Sequence, residues 1–178
     1  MSSPSASSFR ASSAPANVAL DIAVEGDEWR SFENIEGVAE AAIDAAVRLC
    51  EVEIPKDAEI SILLCDDAFI RDLNQKWRGI DKPTNVLSFP AGDTAVLGPL
   101  LGDIVIAYGT AKREAEEENK LLSSHVAHLL VHGFLHLIGY DHSVTAEAEE
   151  MEALERTILA ALGIDDPYQG AFVQIADS

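Results

Sequence analysis

SSHVAHLLVHGFLHLIGYDHS, Ser123 to Ser143, holds all five histidines of a 178-residue chain: His125, His128, His132, His136 and His142. The apolar residues between them recur at helical spacing. The segment therefore reads as a helix from Leu122 to Ile138, ended where Gly139 tolerates a left-handed backbone. At about 100° per residue, with His125 at zero, His132 falls at about −20°, His136 at about +20° and His128 at about −60°. One stripe thus carries four imidazoles. His132 and His136, on successive turns, can reach one cation, and His142 beyond the turn can supply a third ligand. Three neutral imidazoles leave one position of a tetrahedral zinc open to water, which is the catalytic pattern and not the structural one. The same donor set suits zinc better than magnesium. His125 and His128 read as ordinary helical histidines or as supports for the ligands. Gly133 costs about 1 kcal/mol relative to Ala inside a helix, so a close approach by another backbone or by substrate is expected there.

Outward from this helix the pattern is mixed. Helical spacing predicts Thr145 to Leu162 after it and Thr110 to Lys120 before it, and DIVIAY, Asp103 to Tyr108, reads as a strand. Further upstream come a short strand from Asn85 to Phe89, closed by Pro90, and a helix from about Ala68 to Trp77. Asp66 can cap that helix, and Gly79 with Pro83 ends it. Glu59 to Cys65 is a strand, Glu33 to Cys50 a helix through Ile35, Val38, Ala42, Ala46 and Leu49, and Val18 to Val24 an alternating strand. Strands and helices in this order predict an α+β domain: a small mixed β-sheet of about four strands with packed helices, the metal site lying on the histidine-bearing helix and the turn after it. Residues 1–17 are Ser/Ala/Pro-rich and read as a disordered tail. A single domain is expected over 18–168, with a C-terminal tail over 169–178.

Twelve Lys and Arg against 31 Asp and Glu give a net charge of −19, which argues against a surface basic throughout. An anionic ligand then needs a local positive site. Cys50 and Cys65, with no C-x-x-C, exclude a disulfide framework and a four-thiolate zinc site, and the chain reads as cytoplasmic. No run of about 18 apolar residues is present, so no spanning helix is expected. Cations concentrate in IRDLNQKWRGIDKPTNVLSFP, Ile70 to Pro90, which holds Arg71, Lys76, Arg78 and Lys82. An arginine there can hold a phosphate through two parallel N–H bonds. Taken alone, the segment reads rather as a solvated helix face neutralised by Asp72 and Asp81.

The spacing H-x-x-x-H-x-x-G-x-x-H is also that of the metzincin proteases, which makes a metallopeptidase-like hydrolase the first rival. Here Gly133 stands where those enzymes carry their glutamate base. Met151 is the only methionine downstream and lies in a helical run, AEAEEMEALERTILAAL, not in a tight turn. Asp141, beside His142, can serve as a proton acceptor. A third reading is a non-catalytic zinc-stabilised, ribosome-associated module, with His128 as a fourth ligand.

HGFLHLIGYDH, together with the upstream RDLN, PTNVLSFP and LGDI (Leu101 to Ile104), resembles the YbeY-type rRNA maturation endoribonucleases of bacteria and organelles. The resemblance runs from about Ile60 to Tyr168 and includes the closing DDPY of Asp165 to Tyr168. It implies one zinc per chain held by His132, His136 and His142, and a functional arginine at Arg71. It also implies single-strand-specific RNA cleavage in the 3′-end processing of small-subunit rRNA and in ribosome quality control. Arg71 and Asp141 are the expected catalytic residues, and Arg78, Asn85 and Ser88 the expected substrate-binding ones. Single-stranded rRNA and the ribosome or small-subunit proteins are the expected partners, with no DNA and no membrane. Three features depart from the family: the N-terminal tail, Asn85 where many members carry Asp, and the acidic balance. The last predicts weak binding of free RNA and dependence on a ribosomal partner.

Overall fold

The structure is a computed structural model that describes residues 18–141 and 144–165. His142 and the proposed tails therefore lie outside the described residues, as do Asp166 to Tyr168 of the DDPY. Four strands form one sheet: β1 (Ala19–Val24), β2 (Glu59–Cys65), β3 (Val86–Pro90) and β4 (Leu100–Ala107). Their order across it is β1-β2-β4-β3, with the first two pairings parallel and β3 antiparallel to β4. Five α-helices accompany them: α1 (Ile35–Leu49), α2 (Asp67–Arg78), α3 (Tyr108–Glu117), α4 (Leu122–Leu137) and α5 (Thr145–Ala161). This is the expected α+β arrangement with a four-stranded mixed sheet. No helix among the described residues is long and apolar enough to cross a membrane.

Strand alternation divides the core in two. Ile60, Ile62 and Leu64 of β2, Val86 of β3 and Ile104 and Ile106 of β4 share one apolar cluster with α1, α4 and α5. Leu63 and Cys65, Leu87 and Phe89, and Val105 and Ala107 turn to the opposite face, where Ile70 and Leu73 of α2 cover them. The period-2 geometry of a strand forces this split. Consequently α2 and the histidine helix α4 lie on opposite faces of the sheet.

Local signals set most boundaries. The Asp66 carboxylate accepts from Phe69 N–H at 2.9 Å and starts α2, and Gly79, at φ 73°, ends it. At φ 108°, Gly139 follows the end of α4, its N–H bonded to His136 O. Two features were not foreseen. β4 begins three residues before Asp103, running through Gly102, where a Cβ would strike Phe89 O. A short 3₁₀ turn over Asp27–Ser31 buries Trp29, whose indole N–H donates to Cys65 O at 2.9 Å.

Candidate metal centre

α4 is no ordinary amphipathic surface helix, since every residue from His125 to Leu137 is buried. Helices α1, α3 and α5 and strands β3 and β4 all pack against it. Within this shell His132 is 4% exposed and His136 8%. Their rings stand 4.7 Å apart between centroids at 75°, on the same side of successive turns. That is the spacing expected of two imidazoles that share a cation.

A carboxylate stands behind them. Glu155 of α5 is 0% exposed. Its Oε2 lies 2.7 Å from His132 Nδ1 and its Oε1 3.1 Å from His128 Nε2. Burial favours the protonated acid, but the hydrogen bonds from His128 and His132 outweigh it and hold the Glu155 carboxyl well below the usual carboxylate range. Burial likewise pushes the His128 imidazolium down, against the pull of Glu155. An ionised carboxylate only accepts. His132 therefore donates from Nδ1, which leaves Nε2 as the nitrogen that a metal would take.

Glu114 of α3 has a parallel role at a second pair of contacts. His125 Nε2 is 2.8 Å from Glu114 Oε1, and Asn85 Nδ2 donates to the same oxygen at 3.0 Å. Asn85 Oδ1 accepts from Val86 N–H at 2.6 Å. Through this carboxylate α3, α4 and the start of β3 are tied together.

The remaining candidates are placed unevenly. Ser88, expected at the substrate, is buried between β3 and α4 and donates to Gly133 O at 3.3 Å. Asn85 is buried too, so both side chains bond inward. At Gly133 the close approach is made by side chains of the sheet and not by substrate or another backbone: a Cβ would lie 3.1 Å from both Ser88 Oγ and Ile104 Cγ2. The structure does not bring Arg71 to the histidines. Arg71 lies on α2, across the sheet, where its Nε donates to Asp81 Oδ1 at 2.8 Å and its Nη2 to Oδ2 at 3.3 Å. That hydrogen bond and the guanidinium charge hold Asp81 below its usual range. Arg78 is half-buried in the last turn of α2, and Asp141 is exposed just beyond Gly139.

Among the described residues no three His, Cys, Asp or Glu side chains converge on one metal position. The described chain holds two of the candidate ligands, His132 and His136, and the third, His142, lies outside it. The donor chemistry fits zinc at those two positions: two imidazoles on successive turns, one of them facing a carboxylate, as metal-bound histidines usually do.

Comparison with known proteins decides the family. The sequence matches Endoribonuclease YbeY over residues 23–163. The chain belongs to that family. A relative from Methylocella silvestris, itself called endoribonuclease YbeY, is 58% identical over 158 residues, covering 89% of this chain and 90% of its own. One from Rhodopseudomonas palustris BisA53 is 50% identical, covering 84% and 90%. A Thermotoga maritima protein of known solution structure superposes with a TM-score of 0.50 at 25% identity, covering 81% of this chain and 91% of that one. The family match starts well upstream of Ile60, so it also takes in α1 and the end of β1.

Two functional-looking residues were missed from the sequence, Glu114 and Glu155. A signal existed for the second. The buried side of α5 is Met151, Glu155, Ile158 and Leu159, so Glu155 is the one acid on the apolar stripe of that helix.

Proposed function

We propose that the chain is a zinc-dependent, single-strand-specific endoribonuclease of the cytoplasm. Its substrate is rRNA during maturation of the small-subunit 3′ end and in ribosome quality control. The observation that carries the reading is the buried His132–His136 pair backed by Glu155, in a chain of the Endoribonuclease YbeY family. His132, His136 and His142 would hold the ion. When bound, zinc supplies Lewis-acid polarisation of a phosphoryl oxygen and a water of lowered pKa.

The protein's own groups do the rest. Glu155 holds His132 in one tautomer. Asp141, beside His142 in the sequence, would accept a proton. Arg71 and Arg78 are the candidate phosphate partners. Arg71, across the sheet from the histidines, would hold a phosphate of the RNA away from the one at the zinc, exchanging Asp81 for it, and an exposed pair of that kind is weak enough to exchange. Asn85 and Ser88 act through β3, keeping it seated on α3 and α4. The peptidase alternative loses support at Gly133, because the position of its glutamate base is filled by Ser88 and Ile104.

With a net charge of −19, free RNA is bound weakly at physiological salt, and the ribosome or a small-subunit protein brings the enzyme to its substrate. DNA and membranes are not partners. The test is cleavage of single-stranded rRNA, duplex RNA and single-stranded DNA by purified protein of measured zinc content, beside His132→Ala, Arg71→Ala and Arg78→Ala. Cleavage confined to single-stranded RNA and abolished in His132→Ala is expected. Undiminished cleavage in all three variants would sink the assignment, because the activity would belong to a contaminant.

A further inference from the structure

We infer that Glu155 is the positioning residue of the metal centre. One buried carboxylate, bridging His128 and His132, locks His132 with its proton on Nδ1 and so presents Nε2 to the ion. The inference rests on the zinc reading above and deepens it. Nothing in the family match assigns this residue.

Three observations carry it. First, the geometry is divided between the two oxygens: Oε2 is 2.7 Å from His132 Nδ1 and Oε1 is 3.1 Å from His128 Nε2. A carboxylate held at both oxygens has a fixed orientation, which it passes to the His132 ring. Second, Glu155 is wholly buried on α5 while its partners sit on α4. Burying a charge is costly unless it is fully hydrogen-bonded, and a Leu there would extend the apolar stripe of Met151, Ile158 and Leu159. Packing alone thus gives no reason for an acid at this place. Third, the pairing is selective along the histidine stripe. Glu155 takes the Nδ1 side of a proposed ligand but the Nε2 side of His128, so the second histidine braces the carboxylate from the other oxygen. Carboxylates that receive the second ring N–H of a metal-bound histidine usually set its tautomer and basicity, and their loss costs about 10- to 100-fold in metal affinity or activity.

Two measurements on the full chain test this. Long-range ¹H–¹⁵N spectra of the zinc-free protein should show His132 as the Nδ1–H tautomer, and an Nε2–H tautomer would overturn the inference without any variant being made. Zinc affinity, measured by chelator competition on wild type, Glu155→Gln, Glu155→Asp and His132→Ala, gives the second readout. Glu155→Gln should weaken zinc about 10- to 100-fold while the zinc-free protein, less stable because one amide oxygen cannot accept from both histidines, keeps a cooperative unfolding transition and is folded under the conditions of the zinc titration. The cobalt-substituted protein should show shifted ligand-field bands in Glu155→Gln, and Glu155→Asp should recover some of the affinity. Affinity in Glu155→Gln within twofold of wild type would overturn the role of Glu155. Failure of the zinc reading looks different: wild type itself would take up no zinc, or His132→Ala would bind it as tightly as wild type.

Discussion

Gly133 shows how much one residue can decide. His132 and His136 share one side of α4, while Gly133, about 100° around the helix from His132, faces the sheet. A Cβ there would press on Ser88 Oγ and Ile104 Cγ2 at 3.1 Å. Installing the protease-like base with Gly133→Glu should therefore create no peptidase. It should destabilise the fold by more than about 3 kcal/mol through overpacking and a buried unpaired charge, read as a drop in urea midpoint. An unchanged midpoint would show that β3 and β4 yield to the side chain. Cys65 is a second case. Burial, then the negative charges of Asp66, Asp67 and Glu25, push its thiol up to about 12. A raised thiol pKa means less thiolate at any given pH, so at pH 8 Cys65 should resist Ellman's reagent in the native protein and react in urea. Rapid native labelling of Cys65 would contradict its burial.

Among the elements, those with strong end signals were legible from the sequence. α2 has its carboxylate cap at Asp66 and its left-handed stop at Gly79, and both were expected from residue type. Loss of the cap in Asp66→Ala should cost about 1 kcal/mol, measured by chemical denaturation. A loss near zero would mean that the Phe69 N–H finds water as good a partner. Elements without such signals were drawn less well. β4 runs back to Leu100 because β3 and β2 flank it on both edges and extend its ladder, which no local pattern announces. The 3₁₀ turn around Trp29 exists because that indole packs edge-on against Tyr108 at 5.2 Å and donates to Cys65 O. Both partners are distant in sequence.

For the whole molecule, the question is whether the proposed zinc would hold the fold. α4 is anchored by fully buried Leu129, Leu130, Phe134, Leu135 and Leu137, an apolar core that owes nothing to an ion. Zinc removal by a chelator should leave the far-ultraviolet circular dichroism and a cooperative unfolding transition in place, with stability lowered only by the lost binding free energy. Collapse of the helical signal on chelation would favour the closed structural module instead. By itself the sequence determined the α+β class, the order of the elements, the histidine stripe and the family resemblance. Each of these is written in short-range periodicity, in turn residues or in a compact motif. Only the tertiary structure decided that Glu155 and Glu114 stand behind the histidines, that Ser88 and Asn85 bond inward, and that Arg71 lies across the sheet with Asp81. Those facts depend on which faces of distant elements meet. A carboxylate on α5 looks like any other acid of an acidic helix until α4 packs against it and removes the water.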